Sequence, residues 1–507
     1  MAYLIGIDIG TSGTKTVLFD TLGNTVASST YEYPLYQPQI GWAEQDPVDW
    51  WNATVGSIRE VLKKSGVKPM EVKGLGLSGQ MHGLVMLDKD GQVIRRSIIW
   101  CDQRTGKECE EITNIIGKKE LIEITANPAL TGFTASKILW VRNNEPENYE
   151  KCKKILLPKD YIRYMLTGEF ATEVSDASGM QLLDVPKRDW SDVVLSKLKI
   201  DKALLGKVYE SYEISGKVNK KAAEATGLPE GTPVAGGAGD QAAGAVGNGI
   251  VKKGLVSSTI GTSGVVFAHL DEVQIDAKGR VHTFCHAVPG AWHVMGVTQG
   301  AGLSLKWFRD NFCMAEKETA KEMGIDPYEL MTKEALRVPV GSNSVIYLPY
   351  LMGERTPHLD PLAKGVFFGL SAIHERKDLL RSVMEGVTFS LRDCIEIIRG
   401  MNVPADQVRA SGGGGRSELW RQMQADLFHC PVYTINSVEG GALGVAILAG
   451  VGTGVWKSVP EACDAVIKVK SEQKPIAENV TKYDAYYKVF TGLYTQLKGL
   501  YQEIAKI

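Results

Sequence analysis

The pentapeptide Ile-Gly-Thr-Ser-Gly occurs twice, at Ile9–Gly13 and again at Ile260–Gly264, close to half of the 507 residues apart. Apolar runs bracket both copies, Tyr3–Ile7 and Val17–Phe19 around the first, Leu255–Val256 and Val265–Ala268 around the second. Each copy therefore reads as a strand, a tight turn and a second strand. A hairpin tip of Gly, Thr and Ser offers main-chain N–H groups and hydroxyls to an anion. One such tip could be an ordinary turn. Two at half-chain spacing call for two related α/β domains whose tips face each other around one polyphosphate. Phosphoryl transfer needs that arrangement: many donors to spread-out oxygen charge, a cation and in-line geometry. A chain of this length also needs more than one core.

Composition removes several other classes. The net charge is −2 and no basic block is present, so a nucleic-acid groove has no electrostatic support. The eight cysteines are scattered without a Cys-x-x-Cys pair, which suits a reducing cytoplasm better than a disulfide frame or a zinc site. No apolar run reaches the roughly 18–20 residues of a membrane helix, and the start of the chain lacks a signal pattern, so no membrane partner is expected.

In order, the chain opens with three antiparallel strands, the third at Thr25–Ser29. A helix capped by Asp46 with Pro47 at its first position runs to about Ser65-Gly66. A buried strand, Val72–Leu77, leads into Gly79-Gln80-Met81-His82-Gly83. Leu84–Leu87 and Val93–Ile99 are expected to pair as a hairpin across Asp90-Gly91. Residues 105–220 have a mostly helical pattern. Val234–Gly239 is a strand entering a Gly-rich bend before an Ala/Gly helix over Ala242–Gly249. In the second half, Val408–Ser411 precedes Gly412–Gly415 and a helix over Glu418–Leu427. Small residues cover every face of the helix that starts near Glu439, which allows a tight helix–helix contact. The expected boundary between the domains is residue 250, with the first phosphate loop in 1–250 and the second in 251–507. No stretch resembles a long linker, so the halves should pack closely.

Four stretches could carry chemistry. Asp8 ends the first strand beside an anion-binding tip, which makes sense with a bridging cation such as Mg²⁺. Asp240, at the end of a Gly-rich bend, is either a helix cap or a general base for an alcohol nucleophile. His82 sits between Gly79 and Gly83, where a tight bend could present its imidazole to a ligand. Gly412–Gly415 lacks the Lys-Ser/Thr of a Walker loop and reads as close main-chain approach to a ring or ribose.

These residues resemble the FGGY carbohydrate kinases, over essentially the whole chain. The likeness rests on Gly132-x-Thr134-x-x-Lys137-Ile138-x-Trp140-Val141-x-Asn143-Asn144 and on Gly365–Leu370 followed by Asp378-Leu379-x-x-Ser382-Val383-Met384-Glu385. Gly41–Gln45, Gly79–Gly83 and Gly353–His358 resemble the members that phosphorylate xylulose, and Met81-His82 departs from the Arg-Glu pair of the glycerol-phosphorylating members. The resemblance implies two ribonuclease-H-like α/β domains of the actin, Hsp70 and sugar-kinase superfamily with a cleft between them. It implies Asp240 as catalytic base and Gln80, Met81, His82, Asp240 and Gln241 as sugar-binding residues. It assigns Thr11, Ser12, Lys15, Gly261, Thr262, Gly413, Gly414 and Ser417 to the nucleotide, although Ser417 stands where other members have Asn. It assigns Asp8 to the metal. The expected reaction is ATP- and Mg²⁺-dependent phosphorylation of D-xylulose at its 5-hydroxyl, with ribulose or gluconate as alternative acceptors. A non-catalytic sugar sensor is the alternative of a different class, and the start of the chain shows no helix-turn-helix for it. A homodimer is left open.

Overall fold

The computed structural model describes residues 2–437 and 439–507. The first half contributes strands β1 (Tyr3–Ile9), β2 (Gly13–Asp20) and β3 (Thr25–Glu32), helix α1 (Pro47–Ser65), strand β4 (Val72–Gly79), helix α2 (Thr134–Asn144), strand β5 (Pro233–Ala235) and helix α3 (Asp240–Gly247). The second half contributes β6 (Gly254–Ile260), β7 (Gly264–Leu270), β8 (His282–Cys285), β9 (Trp292–Thr298), α4 (Arg376–Gly400), β10 (Ala405–Gly412), α5 (Glu418–Phe428), β11 (Val432–Ile435), α6 (Gly440–Gly452), β12 (Val469–Gln473) and α7 (Ala477–Ile504).

The duplicated pentapeptides form equivalent hairpins in two seven-stranded sheets. In the first sheet β1 pairs antiparallel with β2 and parallel with β4, and β4 pairs parallel with β5. In the second, β6 pairs antiparallel with β7 and parallel with β10, and β10 pairs parallel with β11. Both sheets thus run in the order third, second, first, fourth, fifth strand, the third being β3 in one and β9 in the other. Strands β1, β4 and β6 are buried along nearly their whole length, as strands covered on both faces are.

Local chemistry sets the elements. The Asp46 carboxylate caps α1 by accepting from Val48 N, Pro47 opens the helix and Gly66 ends it at φ 64°. Leu84–Leu87 departs from the expected hairpin. Isolated bridges join it to Val93 and Ile98, but its strand, Val85–Leu87, pairs with Lys154–Leu156 instead. The longer-range partner supplies a second apolar strand, Lys154-Ile155-Leu156, which the polar turn region lacks.

Helices α3 and α6 join the halves. They cross with their main chains in contact: a Cβ on Gly444 would lie 1.9 Å from Ala243 O, and one on Gly247 would lie 1.8 Å from Gly440 O. Helix α6 belongs to the second half of the sequence, yet it lies on the first sheet, against Gly6 and Gly76. Apolar clusters also cross the junction, one joining Phe133 to Phe267, Phe284 and Met295.

Candidate active site

The shared topology brings three pairs of segments to one end of the two sheets. They are the hairpin tips, the turns after β4 and β10, and the starts of α3 and α6. Ligands of open α/β sheets bind at this carboxyl end.

Asp8 lies opposite Lys15 on β2 and Ser78 on β4, and accepts a hydrogen bond from Ser78 Oγ at 2.8 Å. The equivalent place in the second sheet holds Thr259, whose hydroxyl bonds Ser411 Oγ at 2.7 Å. One sheet therefore presents a carboxylate where the other presents hydroxyls. Asp8 also faces the start of α6, where a Cβ on Gly441 would meet its Oδ2 at 3.3 Å. Burial raises the Asp8 pKa above the usual carboxylate value, Ser78 and Lys15 oppose the rise, and Glu439 adds to it. Lys15 is ion-paired with Glu439 at the entry to α6. Neither Ser78 nor Glu439 was expected at the site.

Asp240 is the first residue of α3, with Gly239 as the cap residue and no capping bond from a side chain. Gln241 Nε2 contacts its Oδ1 at 3.3 Å. Burial first, and the Asp8 carboxylate second, push its pKa up to about 7. The bend before it is fixed from below: Gly239 N donates to Ser175 Oγ at 3.1 Å, and the buried Arg163 guanidinium donates to Gly236 O.

Asp240 and Gln241 open into a cleft of about 810 Å³, whose other wall carries Thr259, Ser411, Gly412, Gly413, Gly415 and Arg416. Gly413 therefore shares a cleft with Asp240. Gly414 is buried against Ile260, and Ser417 Oγ caps α5 through Trp420 N at 3.3 Å, outside the cleft. Thr11 is held by Gln45 Nε2 to its carbonyl and Trp100 Nε1 to its hydroxyl, while Ser12 is exposed at the tip. The carbonyls of Gly261 and Thr262 accept from Gly302 N and Leu303 N, which leaves both residues exposed at the second tip.

The turn after β4 is built differently. Gln80 is buried and donates from Nε2 to Gln45 Oε1 at 2.7 Å. Met81 fills the space between Gly179 and Gly239, where any Cβ would clash with its side chain. His82 is left-handed at φ 70° and packs on Phe133 and Phe284 with centroids 4.9 and 6.4 Å away. Its Nδ1 lies 2.8 Å from Gly179 O. A carbonyl only accepts, so Nδ1 carries the proton and Nε2 keeps a free lone pair. Burial, with Lys137 nearby, pushes the imidazole pKa down to about 3, so the ring is neutral. The imidazole can therefore accept a bond from a hydroxyl.

Models of the FGGY family of carbohydrate kinases match the chain, the N-terminal domain over residues 3–247 and the C-terminal domain over residues 256–453. The chain belongs to this family. It is similar to the xylulose kinase of Bacillus subtilis (strain 168), at 39% identity over 99% of this chain and 98% of that protein. A gluconokinase of the same organism is 33% identical over 99% of this chain and 98% of its own length. Among solved structures, the crystal structure of a xyloylose kinase from Brucella ovis superposes with a TM-score of 0.90 at 34% identity, covering 98% of this chain and 100% of that one. The chain is a carbohydrate kinase with the two-domain α/β fold of that family. Among the described residues no helix is long and apolar enough to cross a membrane, and all eight cysteines are free.

Proposed function

We propose that this kinase transfers the γ-phosphoryl group of ATP to the 5-hydroxyl of D-xylulose, with Asp240 as general base. The observation that carries the reading is the Asp240 carboxyl, free of any helix-capping duty, poised near pH 7 and opening into the cleft opposite the glycine loop. A base with that pKa is well matched to accepting a hydroxyl proton at neutral pH. The transition state is loose, so positioning and charge stabilisation contribute more than proton removal. Main-chain N–H groups and hydroxyls at Thr11, Ser12 and Thr262 supply donors for phosphate oxygens, Gly261 N being used within its own hairpin by Ser263 O, and Gly412–Gly415 lets the main chain approach the nucleoside.

The donor set fits Mg²⁺. Among the described residues no group of three or more His, Cys, Asp or Glu could hold a metal alone. Mg²⁺ characteristically takes one or two carboxylates and completes its shell with phosphate oxygens and water. Asp8, whose ionised form burial disfavours, would hold it, and the ion would neutralise charge on the phosphates.

The sugar assignment draws on the xylulose kinase relatives and on a neutral His82 able to accept from a hydroxyl. Gluconate is the second reading, favoured by the gluconokinase relative and by Arg355, a cation close enough to His82 and His282 to depress both of their pKa values. The catalytic assignment is tested by Asp240→Ala. The variant is expected to bind ADP in calorimetry as the parent does while kcat for xylulose falls about 10²–10⁴-fold. Near-normal turnover would place the base elsewhere.

A further inference from the structure

Lys137 is fully buried, and among the described residues its ammonium forms no ion pair. It donates instead to two main-chain carbonyls, His82 O at 2.9 Å and Gly132 O at 2.7 Å. Burying the amine is costly: its pKa is pushed down to about 7 against the pull of the Asp102 carboxylate, and a methionine of similar length could fill the same space. The carbonyl of His82 is where that cost is answered. Thr134, at the start of α2 and also fully buried, donates its hydroxyl to the same oxygen at 3.1 Å. The neighbouring Phe133 supplies the ring that packs on the imidazole. Three residues of one helix start therefore grip His82 by its ring and its carbonyl. The residue they grip has a left-handed backbone, which disfavours side chains with a Cβ and persists only where its surroundings impose it.

We propose that Lys137, together with Thr134, is a positioning residue that locks His82 in its left-handed conformation and so aims the free Nε2 of the imidazole at the sugar. This rests on the reading of His82 as a sugar contact. It gives the Gly132–Lys137 part of the first signature a role in acceptor recognition.

The test is steady-state kinetics with xylulose and ATP varied separately, in the parent and in His82→Ala. Lys137→Met is expected to raise the xylulose KM about tenfold and Thr134→Val about threefold, with the ATP KM within about twofold in both. Thr134→Ser, which keeps the hydroxyl, should restore the parent value. Adding Lys137→Met to His82→Ala should raise the xylulose KM by less than about twofold further, because the imidazole it positions is already gone. Effects that multiply in the double variant, or parallel rises in both KM values, would overturn the proposal. If Lys137→Met does not fold, the Thr134 variants carry the same comparison. An unchanged xylulose KM in His82→Ala alone would remove the sugar-contact reading and this proposal with it. A raised KM there with multiplying Lys137 effects would remove only this proposal.

Discussion

A carboxyl with a pKa near 7 is half ionised at neutral pH, and only its ionised form accepts a proton. The kcat/KM for sugar should therefore climb with pH through about 7 and level off above it. A profile flat between pH 5.5 and 8 would contradict Asp240 as base. The same shift acts on stability with a definite sign. The folded-state pKa is raised, so the native protein binds the extra proton and loses stability as pH rises from about 4 to about 7. Asp240→Asn removes that penalty. Denaturation should show it more stable than the parent at pH 8 by about 1–2 kcal/mol, the full shift being discounted because solvent reaches this partly exposed carboxyl, and no more stable at pH 4. His82 behaves oppositely. Its neutral imidazole titrates near pH 3, so His82→Ala should raise the xylulose KM far more than the ATP KM, by a ratio that stays constant between pH 6 and 8. Asp240 and His82 were visible in the sequence because each stands next to a glycine in a bend, and Asp8 because it ends a strand just before the Gly-Thr-Ser-Gly tip. Ser78 was equally visible and was missed: Ser-Gly closes the fourth strand in both halves, as Ser78-Gly79 and Ser411-Gly412. The Lys15–Glu439 ion pair could not be read, because it joins residues from opposite ends of the chain.

The elements show why the same substitution can have opposite signs. In α6, Gly444→Ala would press a methyl group into Ala243 O on α3, and main chain cannot yield as a flexible side chain can. Unfolding experiments should find a loss of about 3 kcal/mol. In α7, Gly492 is exposed with nothing within 4 Å of its Cβ position, so Gly492→Ala should add about 0.5–1 kcal/mol through helix propensity alone. Most elements were legible from local signals: the duplicated hairpins, the Asp46-Pro47 start of α1 and the small-residue surface of α6. Strand partnership was not. Val85–Leu87 prefers Lys154–Leu156 to its neighbour in sequence, and no local pattern encodes a partner so far along the chain. The start of α3 was set two residues late, since a Gly-rich bend gives no apolar periodicity to mark where the helix begins.

At the scale of the whole molecule, the two sheets repeat one topology but differ at equivalent places. Asp8 and Ser78 in one stand where Thr259 and Ser411 stand in the other, and the His82 turn stands where Gly413 does. Duplication supplies two Gly-Thr-Ser-Gly tips, and divergence gives one half the acids and the His82 turn and the other the glycine loop. The halves meet through the glycine contacts of α3 and α6 and through the apolar cluster of Phe133, Phe267, Phe284 and Met295. Closure is expected because open water would compete as phosphoryl acceptor. Small-angle scattering should show a smaller radius of gyration with xylulose and a non-hydrolysable ATP analogue together, and an unchanged curve would count against it. The repeat made the paired architecture legible, whereas the placement of α6 on the first sheet depended on main-chain contacts that composition only permits. The most direct test of the whole account is ADP release by the parent enzyme with Mg²⁺ and ATP, measured across xylulose, ribulose, gluconate and glycerol. Sugar-dependent release is expected, with kcat/KM for xylulose at least about tenfold above the others; a preference for gluconate, or no sugar-dependent release at all, would contradict a xylulose kinase.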